Sequence, residues 1–155
     1  SLLIGRNPDD TEIGEIPPAN VDFIDTVVLE DDKKLAVTSD SEIQALRRSS
    51  SSGSAKAELK SRQVTEAKSR KNLEMDTLYS QITAKRQAFL AAESSYEAAK
   101  KNYSALQTKY QSGLLSRQEY LKGEVSYLQQ ENSFKQADRE LGQAIAAYQW
   151  EIKGV

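Results

Sequence analysis

Between Ala55 and Gln111 the chain carries neither proline nor glycine, and strong helix formers fill the stretch. It reads as one continuous helix over residues 55–111, about 85 Å long. Its apolar pattern is heptad. Met75, Ile82, Phe89, Tyr96, Tyr103 and Tyr110 recur every seven residues, with Leu78, Ala92, Ala99 and Leu106 at the complementary spacings. Such a seam belongs to a left-handed coiled coil.

A second stripe lies on the other side of the same helix. Ala84, Ala91, Ala98 and Ala105 also recur every seven residues, with Ala88 and Ser95 between them. An offset of two residues is about 200° of rotation. One face is therefore large and aromatic and the opposite face is small. A two-helix hairpin needs one seam, whereas a helix with neighbours on both flanks needs two.

The chain reverses at residues 112–116. Gly113 suits the left-handed residue after a helix C-terminus, with Leu114 as the apolar residue that follows it. Ser116 and Glu119 form a capping box that starts a second helix over residues 117–153. There Tyr120, Tyr127, Phe134, Leu141 and Tyr148 recur every seven residues, and Gly123, Ala137 and Ala144 lie three further on. The fold class is therefore all-α, dominated by a long antiparallel coiled-coil hairpin. The returning helix leaves about 20 residues of the first uncovered.

Residues 1–38 read as an irregular region. Asn7-Pro8-Asp9-Asp10 is a turn and Pro17-Pro18 keeps its surroundings extended. One short strand is expected within Thr11–Ile16 or Val21–Leu29, and a short helix around Leu29–Val37. A capping box from Ser39 to Glu42 opens a short helix over residues 39–48, placed to stack end-on over the returning helix. Residues 49–54, Ser-Ser-Ser-Ser-Gly-Ser, then interrupt it. This composition is that of a flexible linker and reads as an engineered replacement of a deleted segment.

Composition narrows the function. The chain of 155 residues has no cysteine and no histidine, which removes disulfides, thiolate chemistry, the common zinc sites and histidine acid–base catalysis. Neither a phosphate loop nor a nucleophile elbow occurs, so no catalytic residue, metal ligand or cofactor is assigned. No stretch is apolar for 18 residues, and the chain opens like an excised piece, without a leader. Residues 1–50 hold 11 acids and 5 bases, and residues 51–155 hold 12 acids and 16 bases. The net charge of −2 gives no basic excess for nucleic acid.

Other features have bland explanations. Asp9, Asp10 and Glu12, and Glu30, Asp31 and Asp32, read as loop solvation and a helix N-terminus. Lys100-Lys101 and Arg70-Lys71 read as a solvated face, and Trp150 as a packing anchor. The tip stands apart, because Leu114 and Leu115 are adjacent apolar residues on a turn expected to face water. Leu114 has a role in the cap, and Leu115 has less of one.

At these residues the chain resembles the TolC family of outer-membrane efflux and secretion ducts. The resemblance rests on Tyr96-Glu97-Ala98-Ala99, on Tyr110-Gln111-Ser112-Gly113-Leu114-Leu115-Ser116-Arg117-Gln118-Glu119-Tyr120-Leu121, and on Ala147-Tyr148 with a closing Gly154. Ser41–Arg48 resembles the start of the repeat's first helix, and Leu2-Leu3-Ile4-Gly5-Arg6 the connector between repeats. The resemblance covers nearly the whole chain except residues 49–54.

It implies that three protomers of two repeats each build a periplasmic barrel of helices beneath an outer-membrane β-barrel. The membrane strands would fall where the Ser/Gly tract stands. This piece would then be periplasmic, and monomeric by itself although the full protein is a trimer. Gln111, Ser112, Gly113, Leu114, Leu115, Ser116 and Arg117 would dock periplasmic adaptor hairpins, and Glu119 would border the pore aperture. The alanine stripe would meet a neighbouring barrel helix. Two other readings stand beside this one: the α-hairpin of a periplasmic adaptor, or a coiled-coil spacer.

Overall fold

The computed structural model describes residues 18–153. It is all-α. A 3₁₀ turn at Phe23–Thr26 precedes four helices: α1 (Leu29–Ser39), α2 (Ser41–Arg48), α3 (Ser54–Gln111) and α4 (Arg117–Lys153). The helix expected around Leu29–Val37 is present as α1, and both long helices match their expected bounds to within one residue. No strand forms among the described residues. Val21–Leu29 folds instead into the 3₁₀ turn and the start of α1, because Ile24 reaches the core by turning and its neighbours need no partner strand. The Asn7 turn, Thr11–Ile16, the Leu2–Arg6 connector, the Asp9/Asp10/Glu12 cluster and Gly154 lie outside the described residues.

Each short helix has local causes. Three acids, Glu30, Asp31 and Asp32, sit in the first turn of α1, where backbone N–H groups favour negative charge. α1 stops where Asp40 turns extended at ψ 121°. The cap of α2 is Asp40 and not Ser39. The Asp40 carboxylate accepts from Ile43 N at 2.8 Å, whereas Ser39 ends α1 and donates its hydroxyl to Leu35 O. The carboxylate is the stronger acceptor for the orphan N–H groups, and it lies one residue closer to the helix. At the other end of α2, Lys60 Nζ donates to the carbonyls of Arg47 and Ser49 at 2.8 and 2.5 Å, satisfying groups the helix leaves open. Gly53, at φ 95°, then starts α3.

α2 runs antiparallel to α3: Asp40 meets Lys71, Glu42 meets Arg70, and Ser49 meets Lys60. Glu151, near the end of α4, also meets Lys71. The end-on arrangement expected from the helix lengths is therefore present, with α2 covering the part of α3 that α4 does not reach. The inward positions of α3 run Lys60, Val64, Ala67, Lys71, Met75, Leu78, Ile82. Two successive steps of four occur at Ala67–Lys71–Met75, a break in the alternating three–four spacing of the heptads. It coincides with the change of partner from α2 to α4.

α1 lies across α3 and α4 at the base of the hairpin. Ile24, Ala36, Met75, Ile82, Phe89, Leu141, Ile145 and Tyr148 form the buried core there. Ala36 is fully enclosed, which lets α1 approach closely. Polar contacts fix the layer: Tyr148 donates to Asp32 Oδ2 at 2.8 Å, Lys33 reaches Asp76 at 2.7 Å, and Arg86 grips both oxygens of Asp25 at 3.0 and 2.9 Å. Ala19 N donates to Asp138 at 2.9 Å. Trp150, expected as a packing anchor, is 60% exposed. Tyr148 fills the place two residues before it. None of the described helices is long and apolar enough to cross a membrane.

Candidate functional site

The hairpin end is built by two interlocking caps. Leu114 N donates to Lys109 O at 2.9 Å and Gly113 N to Tyr110 O at 3.0 Å, the paired bonds of a Schellman motif. Gly113 takes φ +70°, which a residue with a Cβ adopts at a cost. Three residues later the capping box closes. Ser116 N and Oγ both donate to Glu119 Oε2, at 3.1 and 2.6 Å, and Glu119 N donates back to Ser116 Oγ at 3.2 Å. The Ser116 hydroxyl and backbone bonds hold the Glu119 carboxyl below its usual range. Its charge is thus committed to the turn.

These caps fix the reversal without a core. Gln111, Ser112, Gly113, Ser116 and Arg117 are all exposed. The two leucines divide in the opposite sense to their expected roles. Leu114 supplies its backbone to the cap but leaves its side chain 78% exposed, while Leu115 is half-buried. The cap bonds hold the Leu114 backbone and leave its side chain in solvent. A rigid turn therefore presents one bare leucine.

Behind the tip the seam residues meet as spaced. Seven rings alternate between the helices from Phe89 through Phe134, Tyr96, Tyr127, Tyr103 and Tyr120 to Tyr110. Successive centroids are 4.6–5.8 Å apart. Their geometry is that of interleaved aromatic packing. Hydroxyls pair along the edge: Tyr103 with Tyr120 at 2.7 Å, Tyr96 with Tyr127 at 3.3 Å, and Tyr103 donates to Glu124 at 3.1 Å. The bond to Tyr120, with burial and Glu124, raises the Tyr103 phenol; the bond to Tyr96 raises Tyr127. Ile82, Leu141 and Tyr148 continue the seam into the buried base, and Tyr110 ends it 38% exposed.

Ala84, Ala91, Ala98 and Ala105 all face outward, unpartnered among the described residues. Beside them the two long helices bound a groove of about 510 Å³, lined in part by Ala98, Asn102, Leu106, Gly123 and Ser126. A Cβ on Gly123 would overlap the end of the Leu106 side chain, which rests against this glycine.

One polar centre escaped sequence reasoning. Lys71 does not belong to a solvated face: its side chain is 15% exposed and contacts Asp40 at 2.9 Å, Glu74 at 3.1 Å and Glu151. Burial opposes its charge, but the bonds to Glu151, Asp40 and Glu74 outweigh burial and raise its pKa. The signal was present in the sequence, since Lys71 holds an inward position where the spacing slips. Lys100 does face solvent and rests over the Tyr96 ring at 5.9 Å.

Comparison with protein-family models, with curated proteins and with solved structures returned no match.

Proposed function

We propose that this chain is the periplasmic helical part of one repeat of a TolC-like exit duct, serving a tripartite efflux or type I secretion system. Its role is conduit and docking, without catalysis. The observation that carries the reading is the two-sidedness of α3. One face is spent on the aromatic seam with α4, and the opposite face is an exposed row of alanines. A helix in a closed barrel needs a neighbour on each flank, and small residues permit close approach. The rigid tip with Leu114 outward supplies a docking point for adaptor hairpins. The short Ser/Gly connection between α2 and α3 stands where the family resemblance implies membrane strands. The helical base formed by α1 and α2 favours the duct over an adaptor hairpin, which the resemblance would flank with lipoyl-like halves.

The test is capture of this chain by periplasmic adaptor proteins, beside a variant carrying Leu114→Asp and Leu115→Asp. The reading expects capture by the parent, reduced at least tenfold in the variant while circular dichroism reports unchanged helix content. Capture unaffected by the substitutions overturns docking through the tip.

A further inference from the structure

The segment from residue 41 to residue 72 holds eight bases and three acids, in a chain whose net charge is −2. This excess gathers at the end of the rod away from the hairpin tip, on α2 and the first third of α3. There α1, α2 and α3 border an open groove of about 290 Å³. Its charged lining is Lys33 and Lys34 from α1, Arg47 from α2, Lys68 from α3 and one acid, Glu30; Asn72 adds an amide.

The four cations are not equivalent. Lys33 is held by Asp76 at 2.7 Å and Glu30 at 3.1 Å, and Lys34 by Asp31 at 2.8 Å. Glu30, the groove's one carboxylate, is thus already engaged. Arg47 and Lys68 have no carboxylate within ion-pair distance among the described residues, and Lys68 is half-buried. The protein neutralises Lys71, on the same helix, with three carboxylates, yet leaves these two cations facing a common space. The arginine offers a planar fork of donors and the lysine a point charge, a pairing suited to an oxyanion with several acceptor oxygens.

We propose that the groove between α1, α2 and α3 binds a multiply charged oxyanion of the phosphate or sulfate type, with Arg47 and Lys68 as its direct ligands and Lys33, Lys34 and Asn72 around it. A single carboxylate would leave the lining with excess positive charge, whereas a dianion balances the two unpaired cations. The proposal is independent of the duct reading, because it uses no residue of the seam, the alanine stripe or the tip.

The experiment is an NMR titration of this chain with inorganic phosphate and with pyrophosphate at fixed ionic strength, using chloride as the control. Saturable shifts should centre on Lys34, Arg47, Lys68 and Asn72 and leave Leu114 unmoved. The Arg47→Ala, Lys68→Ala double variant should bind at least tenfold more weakly. An Arg47→Gln, Lys68→Gln pair serves if the alanine variant loses helix content. Co-sedimentation with phosphatidylglycerol vesicles, against phosphatidylcholine vesicles, separates the sources of the anion. Retention that the double substitution abolishes assigns a lipid headgroup; a response to the soluble anions alone assigns a solute. Shifts that chloride reproduces, or binding that survives the double substitution, overturn the proposal.

Discussion

Lys71 Nζ lies 2.9 Å from Asp40 Oδ2, while the companion oxygen of the same carboxylate accepts from Ile43 N at 2.8 Å. One side chain thus caps α2 and pairs with α3. Through Lys71 it is also joined to Glu151 on α4. Three helices meet at a single cation, where the inward spacing of α3 slips by one residue.

Removing that cation should cost more than a surface charge. Lys71→Met would leave Asp40, Glu74 and Glu151 clustered without a counter-charge, and we expect a loss of about 1–3 kcal/mol at pH 7 in denaturant unfolding. The pH dependence gives a second readout. Burial opposes the Asp40 carboxylate, but the Ile43 and Lys71 bonds lower its folded pKa below the ordinary 3.8. Its stabilising effect is therefore complete above about pH 4 and fades as pH falls through the folded value. Lys71, raised above 10.5, contributes fully below that value and loses its effect as pH rises past it. In the methionine variant the carboxylates repel, so its deficit should shrink between pH 7 and pH 4. A deficit independent of pH would contradict this account.

The two glycines of the hairpin should respond differently to alanine. Gly113 sits at φ +70°, and Gly113→Ala should cost about 1–2 kcal/mol by backbone strain. Gly123 is helical, and its added Cβ meets only the mobile end of Leu106. Gly123→Ala gains about 1 kcal/mol of helix propensity, offset by displacement of that leucine. Combining it with Leu106→Ala should show a coupling of about 0.5 kcal/mol or more, because the second change removes the clash. Additive effects would mean the leucine is not the obstacle.

Three of the seven tyrosines should ionise late. Burial raises Tyr148 most, followed by its bond to Asp32; hydrogen bonding raises Tyr103 and Tyr127. Alkaline absorbance titration should therefore show a delayed phase above the ordinary phenol value of 10.0. A raised folded pKa means these groups stabilise the fold fully below about pH 10 and cease to as pH climbs through the folded values. Tyr103→Phe should remove part of the delayed phase. A single phase at the ordinary value would contradict the ladder of paired hydroxyls.

The alanine stripe carries a prediction about assembly. Without the second repeat that the duct reading supplies, its exposed face has no partner, and sedimentation should find the chain mostly monomeric. A stable hexamer at all concentrations would show that the chain closes on copies of itself.

The long elements were legible because their causes are local and repeated. The Pro- and Gly-free run, the seven-residue aromatics and the Gly113–Glu119 signals each point to one structure, and they agree with one another. What escaped depends on distant partners or on competition between neighbours. Asp40 and Ser39 are both good caps, and the choice went to the carboxylate that also had Lys71 to meet. Val21–Leu29 has the β-branched residues of a strand, but a strand needs an edge to pair with and Ile24 found a core instead. Trp150 looks like an anchor by residue type, yet it lies on the outer side of α4. Lys71 reads as surface by residue type, and its inward position gains meaning only once α2 and the end of α4 bring Asp40 and Glu151 to it.

α3 runs unbroken for 58 residues, and the three-helix junction grips it at Lys71, about 60 Å from the hairpin end at 1.5 Å per residue. The junction and the tip are thus a pivot and the end of a lever. A tilt of about 5° at Lys71 sweeps Leu114 through about 5 Å, roughly one helical turn's rise. Small changes in how α1, α2 and α4 seat around Lys71 are therefore magnified at the tip by the length of the rod.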